Sequence, residues 1–198
     1  PVRWSPGKWV IVVLSCIIPT AVGLLLAGAL TYVIEPDPTA AALFAKIGWV
    51  HIIPYLAFIM FMPGFGEELL FRGYLQNRMH RRFGPVPTIL CSGLIFGLIH
   101  VMPHTVVFAS VLGIWFAFIA YKTGSVWPTI VCHAAVNGIW TILNVSISAT
   151  GISGTAQIGI FTAIILIGIV PFALTFQQMK VQAPPVCATN KETSATGV

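Results

Sequence analysis

The sequence predicts an all-α fold, a polytopic transmembrane helical bundle of about six spans. Three observations predict it. Of the 198 residues, 57% are hydrophobic. Only 8% are Asp, Glu, Lys or Arg, against roughly 25% in a soluble domain. Those few charges leave uninterrupted apolar runs, several of which reach the roughly 20 residues that a helix needs to cross a bilayer. A transmembrane barrel would show short segments of alternating polarity, and a disordered chain would lack this density of Leu, Ile, Val and Phe.

Taken in order, the first run spans residues 9–34. It exceeds the roughly 7–15-residue core of a signal peptide, so it is expected to remain as a span. Residue 1 is Pro rather than Met, which leaves room for sequence upstream. After Glu35-Pro36-Asp37-Pro38, a second span over 43–62 runs into Met62-Pro63-Gly64-Phe65-Gly66. There, Pro and two Gly are expected to kink or interrupt the helix before a polar-faced helix over 66–82. Phe83-Gly84-Pro85 turns the chain, and further spans follow over 86–102, 106–121, 126–146 and 155–176. Their connections are Pro103-His104-Thr105, Lys122-Thr123-Gly124-Ser125 and a polar stretch from Ser148 to Gly154. Links this short make residues 1–176 a single transmembrane domain. Residues 177–198 are small and polar, and read as a disordered cytoplasmic tail.

Lys and Arg should concentrate in alternate connections, on the cytoplasmic side. Arg3 and Lys8, then Arg78, Arg81 and Arg82, then Lys122, then Lys180 fall on one side of this division, while Glu35 and Asp37 fall on the other. The expected placement is therefore in the cell (inner) membrane with both termini cytoplasmic. The same topology accounts for the net charge of +5. Ten basic residues scattered among apolar spans form no stripe that tracks phosphates, so nucleic acid is not an expected partner. Cys16, Cys91, Cys132 and Cys187 form no CxxC pair, which excludes a zinc ribbon and a disulfide framework.

A few polar residues remain inside the apolar part: Glu67, Glu68, Arg72, His100, His133 and Asn137. A charge at the bilayer centre costs about 2.5–3.5 kcal/mol on insertion scales, so such groups need partners and are functional candidates. At about 100° per residue, Glu68 and Arg72 stand one turn apart on nearly the same face, while Glu67 points elsewhere. Glu68 is thus placed to pair with Arg72, as a helix-fixing ion pair or a direct participant in chemistry. An unpaired Glu67 has the profile of a general base. Glu67 and His100 are equidistant from the turn between Phe83 and Gly84. An antiparallel hairpin would bring both to one depth, roughly 20–25 Å from that turn. Phe96 lies one turn before His100 as a packing wall or substrate contact. His133 and Asn137 share a face one turn apart, with small residues between them that permit close helix approach. His51, His80 and His104 lie nearer interfaces or basic turns, with nothing catalytic expected of them. Trp115, Trp127 and Trp140 read as packing residues or interfacial anchors. No His-Glu-x-x-His, Gly-x-Ser-x-Gly, Ser-Lys or Glu-x-x-His pattern points to zincin, serine hydrolase or di-iron chemistry. One free Glu, two His and one Asn from three helices can activate a water and hold an oxyanion.

Glu67-Glu68 with Arg72, Phe96 with His100, and His133 with Asn137 resemble, in order, the three motifs of the CAAX protease and bacteriocin-processing family, also called type II CAAX prenyl endopeptidases. Phe71-Arg72-Gly73 is also in the family style, and the resemblance covers roughly residues 60–140. It implies an intramembrane endopeptidase acting on a membrane-anchored protein or peptide within the lipid bilayer. Glu67 with His100 would activate water, His133 and Asn137 would stabilise the oxyanion, and Glu68, Arg72 and Phe96 would support them. No metal cofactor is favoured. If zinc takes part, Glu67, His100 and His133 are the ligands on offer. The alternatives are a non-catalytic bacteriocin-immunity or partner-binding membrane protein of the same fold and, behind it, a small transporter with Glu67 as proton carrier.

Overall fold

The computed structural model describes residues 4–35, 42, 49–150 and 154–178. Among them are the helices α1 (Pro6–Leu14) and α2 (Ile17–Leu30). Next come α3 (Trp49–Phe61), two π-helical segments (Met62–Glu67 and Leu69–Leu75) and α4 (Gln76–Phe83). Four more complete the order: α5 (Pro85–Leu98), α6 (Pro103–Thr123), α7 (Trp127–Thr150) and α8 (Gly154–Gln178). No described residue is in a strand. The helical runs Pro6–Leu30, Ile53–Phe83, Pro103–Thr123 and Thr155–Gln177 are each long and apolar enough to cross a membrane, and Pro85–Leu98 is a shorter apolar helix. The chain is an all-α integral membrane protein. Most of the predicted cytoplasmic tail, residues 179–198, lies outside the described residues.

Burial is inverted relative to a soluble protein. Leu25 is 70% exposed and Leu166 62%, whereas Glu68 and Arg72 are 0% and 2% exposed. Apolar side chains outside and paired charges inside are what a hydrocarbon solvent selects.

Local chemistry bends the helices where the site is built. The first span is kinked at Ser15 and Cys16, where the Ser15 hydroxyl donates to the Val12 carbonyl at 2.6 Å. Such side-chain bonds compete with the helix ladder and bend it. The Cys132 thiol of α7 donates to the same carbonyl, at 3.6 Å, tying α7 to the kink. Around this point Val12, Cys16, Leu112, Trp115, Phe116, Ile119 and Cys132 form the main buried cluster. Trp115, read from the sequence as a packing residue, stacks there on Phe172 of α8 with ring centroids 4.5 Å apart.

The Pro63–Gly66 stretch does not interrupt the helix. The chain instead winds with the wider i→i+5 pattern up to Leu75, a rare geometry that concentrates at functional sites. Pro63 has no N–H to lose from the ordinary ladder. Gly64 permits contact with α7: a Cβ there would stand 3.2 Å from the Ala134 nitrogen. Gly84 makes the predicted turn at φ +74°, ψ −177°, open to a residue without Cβ, and Pro85 starts α5 with its φ already set.

Helices α5 and α6 pack most closely. A Cβ on Gly97 would stand 2.7 Å from the Val106 carbonyl, and one on Gly113 would stand 2.7 Å from the Gly93 carbonyl. Small residues at such a crossing replace a hydrophobic driving force with close backbone contact. The connection between the two helices corrects the predicted boundaries. The span expected over 86–102 ends at Leu98, and Pro103 and His104 belong to the first turn of α6 rather than to a loop. Pro103 disfavours helical geometry at Met102, which is extended at φ −68°, ψ 123°. His100 therefore sits on the turn just beyond α5 rather than inside the helix.

Candidate active site

Glu68 is the anchor of the site. Placed by the π-helical stretch, its Oε1 accepts from Arg72 Nη1 at 2.8 Å, so the one-turn pairing read from the sequence is present. The same oxygen also accepts from His133 Nδ1 on α7, at 2.9 Å. Arg72 Nη2 donates at 2.8 Å to the carbonyl of Gly113 on α6. The Arg72 guanidinium carbon lies 4.4 Å from the ring centroid of Phe96, a cation–π contact between two buried side chains. The Glu68–Arg72 pair thus joins the π segments to α7 through the carboxylate and to α6 through the guanidinium.

Phe96, 2% exposed, packs against Arg72 and both imidazoles. Its ring meets His100 at 5.2 Å and His133 at 5.7 Å between centroids, edge to face in both cases. Phe116 stacks on the other side of His133 at 5.4 Å. Two aromatic rings and the bond to Glu68 fix the His133 imidazole. Because a carboxylate only accepts, His133 Nδ1 carries the hydrogen in this bond, and Nε2 is left for other partners. His100 Nδ1 is 3.0 Å from the Phe96 carbonyl. A carbonyl likewise only accepts, so Nδ1 donates and the neutral ring has its lone pair on Nε2. The backbone bond foreseen for a core histidine therefore exists, and the same ring also faces a cavity.

That cavity, of about 550 Å³, is lined by Glu67, Phe96, His100, Phe116, His133 and Asn137, with further residues from α2 and α6. Its size lies within the range of ligand sites. Glu67 lies on its wall, half-buried, and its Oε2 is buried with no hydrogen-bond partner. Asn137 Nδ2 donates to the Ile59 carbonyl of α3 at 3.2 Å, which uses one of its two hydrogens. The four residues read as candidates for chemistry thus share one cavity, and Glu68 and Arg72 stand behind it as a buried pair. His104, of which the sequence raised no catalytic expectation, also lines this cavity.

The model of the Rce1-like family, type II CAAX prenyl endopeptidases, matches residues 49–139. It is the family that the three motifs indicated. All seven motif residues, from Glu67 to Asn137, fall inside the Rce1-like stretch. No curated protein and no solved structure matches the chain.

Within the Rce1-like stretch, Glu67, His100 and His133 do not gather as a metal site. Among the described residues, no group of three or more His, Cys, Asp and Glu side chains is placed to hold a metal ion. His133 donates through Nδ1 to Glu68 and His100 through Nδ1 to a backbone carbonyl, the outer bonds that a metal-ligating imidazole also makes, and Nε2 of each ring stays open. A metal entering this cavity would be held by those two nitrogens and the Glu67 carboxylate once the three side chains closed on it, and would supply a Lewis acid there.

Proposed function

We propose that this protein is an intramembrane endopeptidase that hydrolyses a peptide bond of a membrane-associated protein or peptide, with water as the nucleophile. The observation that carries the reading is the convergence of Glu67, His100, His133 and Asn137 on one cavity among apolar helices. Glu67, with a buried oxygen that has no partner, accepts the proton of the attacking water. His100, with its Nε2 lone pair, accepts a hydrogen bond from the same water and orients it. As the carbonyl oxygen becomes an oxyanion, His133 Nε2 and the second Nδ2 hydrogen of Asn137 donate to it. His133 can donate from Nε2 while holding Glu68 through Nδ1 only as an imidazolium. The adjacent Glu68 carboxylate is its counter-charge. Arg72 donates to the same Glu68 oxygen, and the two donors together keep this carboxylate from acting as a second base.

A membrane-anchored substrate suits the surroundings. A second cavity, of about 440 Å³ and lined by apolar side chains of α2, α7 and α8, shares Leu24 and Trp140 with the first. It can take an apolar portion of a substrate whose scissile bond lies beside Glu67. The test is to reconstitute the purified protein with membrane-anchored peptides and look for a new C-terminus at one bond. A folded protein that cleaves none of them would favour the non-catalytic immunity or partner-binding alternative.

The reading also places both termini and the Arg78–Arg82 turn in the cytoplasm, with the protein in the cell (inner) membrane. In a background without native cysteines, an impermeant thiol reagent added outside should label a cysteine at position 37 and leave one at position 82 unlabelled. The opposite pattern would invert the topology. For cofactors, cleavage should survive exhaustive chelation, and zinc in excess should inhibit by occupying Glu67 and the imidazoles. Tightly bound stoichiometric metal, with activity lost on its removal and restored by its return, would overturn the metal-free assignment.

A further inference from the structure

The groups assigned so far serve the attacking water and the oxyanion, and none is assigned to the departing amine. A peptide nitrogen must gain a proton as its bond to carbon breaks, because the amide anion is too basic to leave. Glu67 holds the proton taken from water at that moment. A second group that already carries a proton spares Glu67 from moving between the two atoms.

His104 has the position and chemistry for this. It is the second residue of α6, lines the same cavity as Glu67 and His100, and has a buried Nε2 with no hydrogen-bond partner. The turn from α5 to α6 brings it there. His100 N donates to the Gly97 carbonyl at 3.0 Å, and Met102 N donates to the His100 carbonyl at 2.6 Å. Between them Val101 is held at φ 63°. A β-branched residue in the left-handed region is strained, and such strain persists where surrounding structure enforces it, often at functional sites. The tight turn sets His100, on the turn beyond α5, and His104, in the first turn of α6, on one cavity.

We propose that His104 is the general acid for the departing amine, an inference that rests on the peptidase reading above. The water oxygen bonds to the carbonyl carbon, its proton passes to the Glu67 carboxylate, and the carbonyl π pair moves to the oxyanion. The carbonyl then re-forms as the C–N bond breaks. That bond's electron pair stays on nitrogen, which takes the proton of the His104 imidazolium and leaves as neutral amine. Glu67 returns the proton through cavity water to His104, restoring both groups.

The test compares two membrane-anchored substrates of one sequence, one with the scissile amide and one with a thioester at the same bond, whose thiolate leaves without a proton. The quantity read is the ratio of kcat on amide to kcat on thioester. Taken within each variant, it cancels any partial loss of folded protein. For His104→Gln and for His104→Asn this ratio should fall by about 10²-fold or more relative to wild type. Glu67→Gln should slow both substrates. An unchanged ratio in both His104 variants would overturn the assignment, leaving His104 a packing role at most. Failure of the folded wild type to hydrolyse either substrate would overturn the peptidase reading and this inference with it.

Discussion

Replacing Glu67 with Gln is expected to leave the protein folded and to abolish turnover within measurement, a loss of at least about 10²–10⁴-fold in rate. The substitution keeps the side-chain volume and removes the proton acceptor. Glu67 Oε2 has no hydrogen-bond partner in the fold, so its loss breaks no bond there. The melting temperature in detergent should therefore stay near wild type while cleavage disappears. Near-normal turnover by a homogeneous Glu67→Gln preparation would remove Glu67 from the mechanism. A large fall in melting temperature would instead give it a structural role.

Glu68 and Arg72 are expected to behave in the opposite way, with stability falling together with activity. Glu68→Ala leaves Arg72 and His133 without their shared acceptor, and Arg72→Ala leaves the Glu68 carboxylate with His133 alone. Breaking a buried pair by truncating one partner costs roughly 3–5 kcal/mol. Because two donors meet on Glu68 Oε1, Glu68→Ala should lower the melting temperature at least as far as Arg72→Ala. Activity should fall in both, since His133 loses either its anchor or the charge balance around it. Thermal melts of the two variants in one detergent check this, and unchanged melting in both would show that the pair contributes nothing to the fold.

What was legible in the sequence follows from the range of the interactions concerned. Glu68 and Arg72 pair within one turn of the same segment, so spacing alone placed them together. Glu67 and His100 are related through a single turn at Gly84, and counting outward from it sufficed to bring both to one cavity. The bond from His133 to Glu68 spans 65 positions between separate helices, and no local period encodes it. The π-helical winding was also hidden. Pro63, Gly64 and Gly66 signal trouble for an ordinary helix without saying whether the chain breaks or widens. His104 falls outside the expected span because Pro103 reads as loop punctuation. Pro is also favoured at the first position of a helix, and that reading would have put His104 one residue into α6.

The measurement that bears most directly on the central claim is cleavage by the reconstituted wild-type protein in water enriched in oxygen-18, followed by mass analysis of the new C-terminus. Hydrolysis by a water that Glu67 and His100 activate predicts one oxygen-18 atom in the carboxylate of the N-terminal product within a single turnover. The protein itself should carry no label. A product without the label, label appearing in the Glu67 carboxylate, or no product from folded protein would contradict the account.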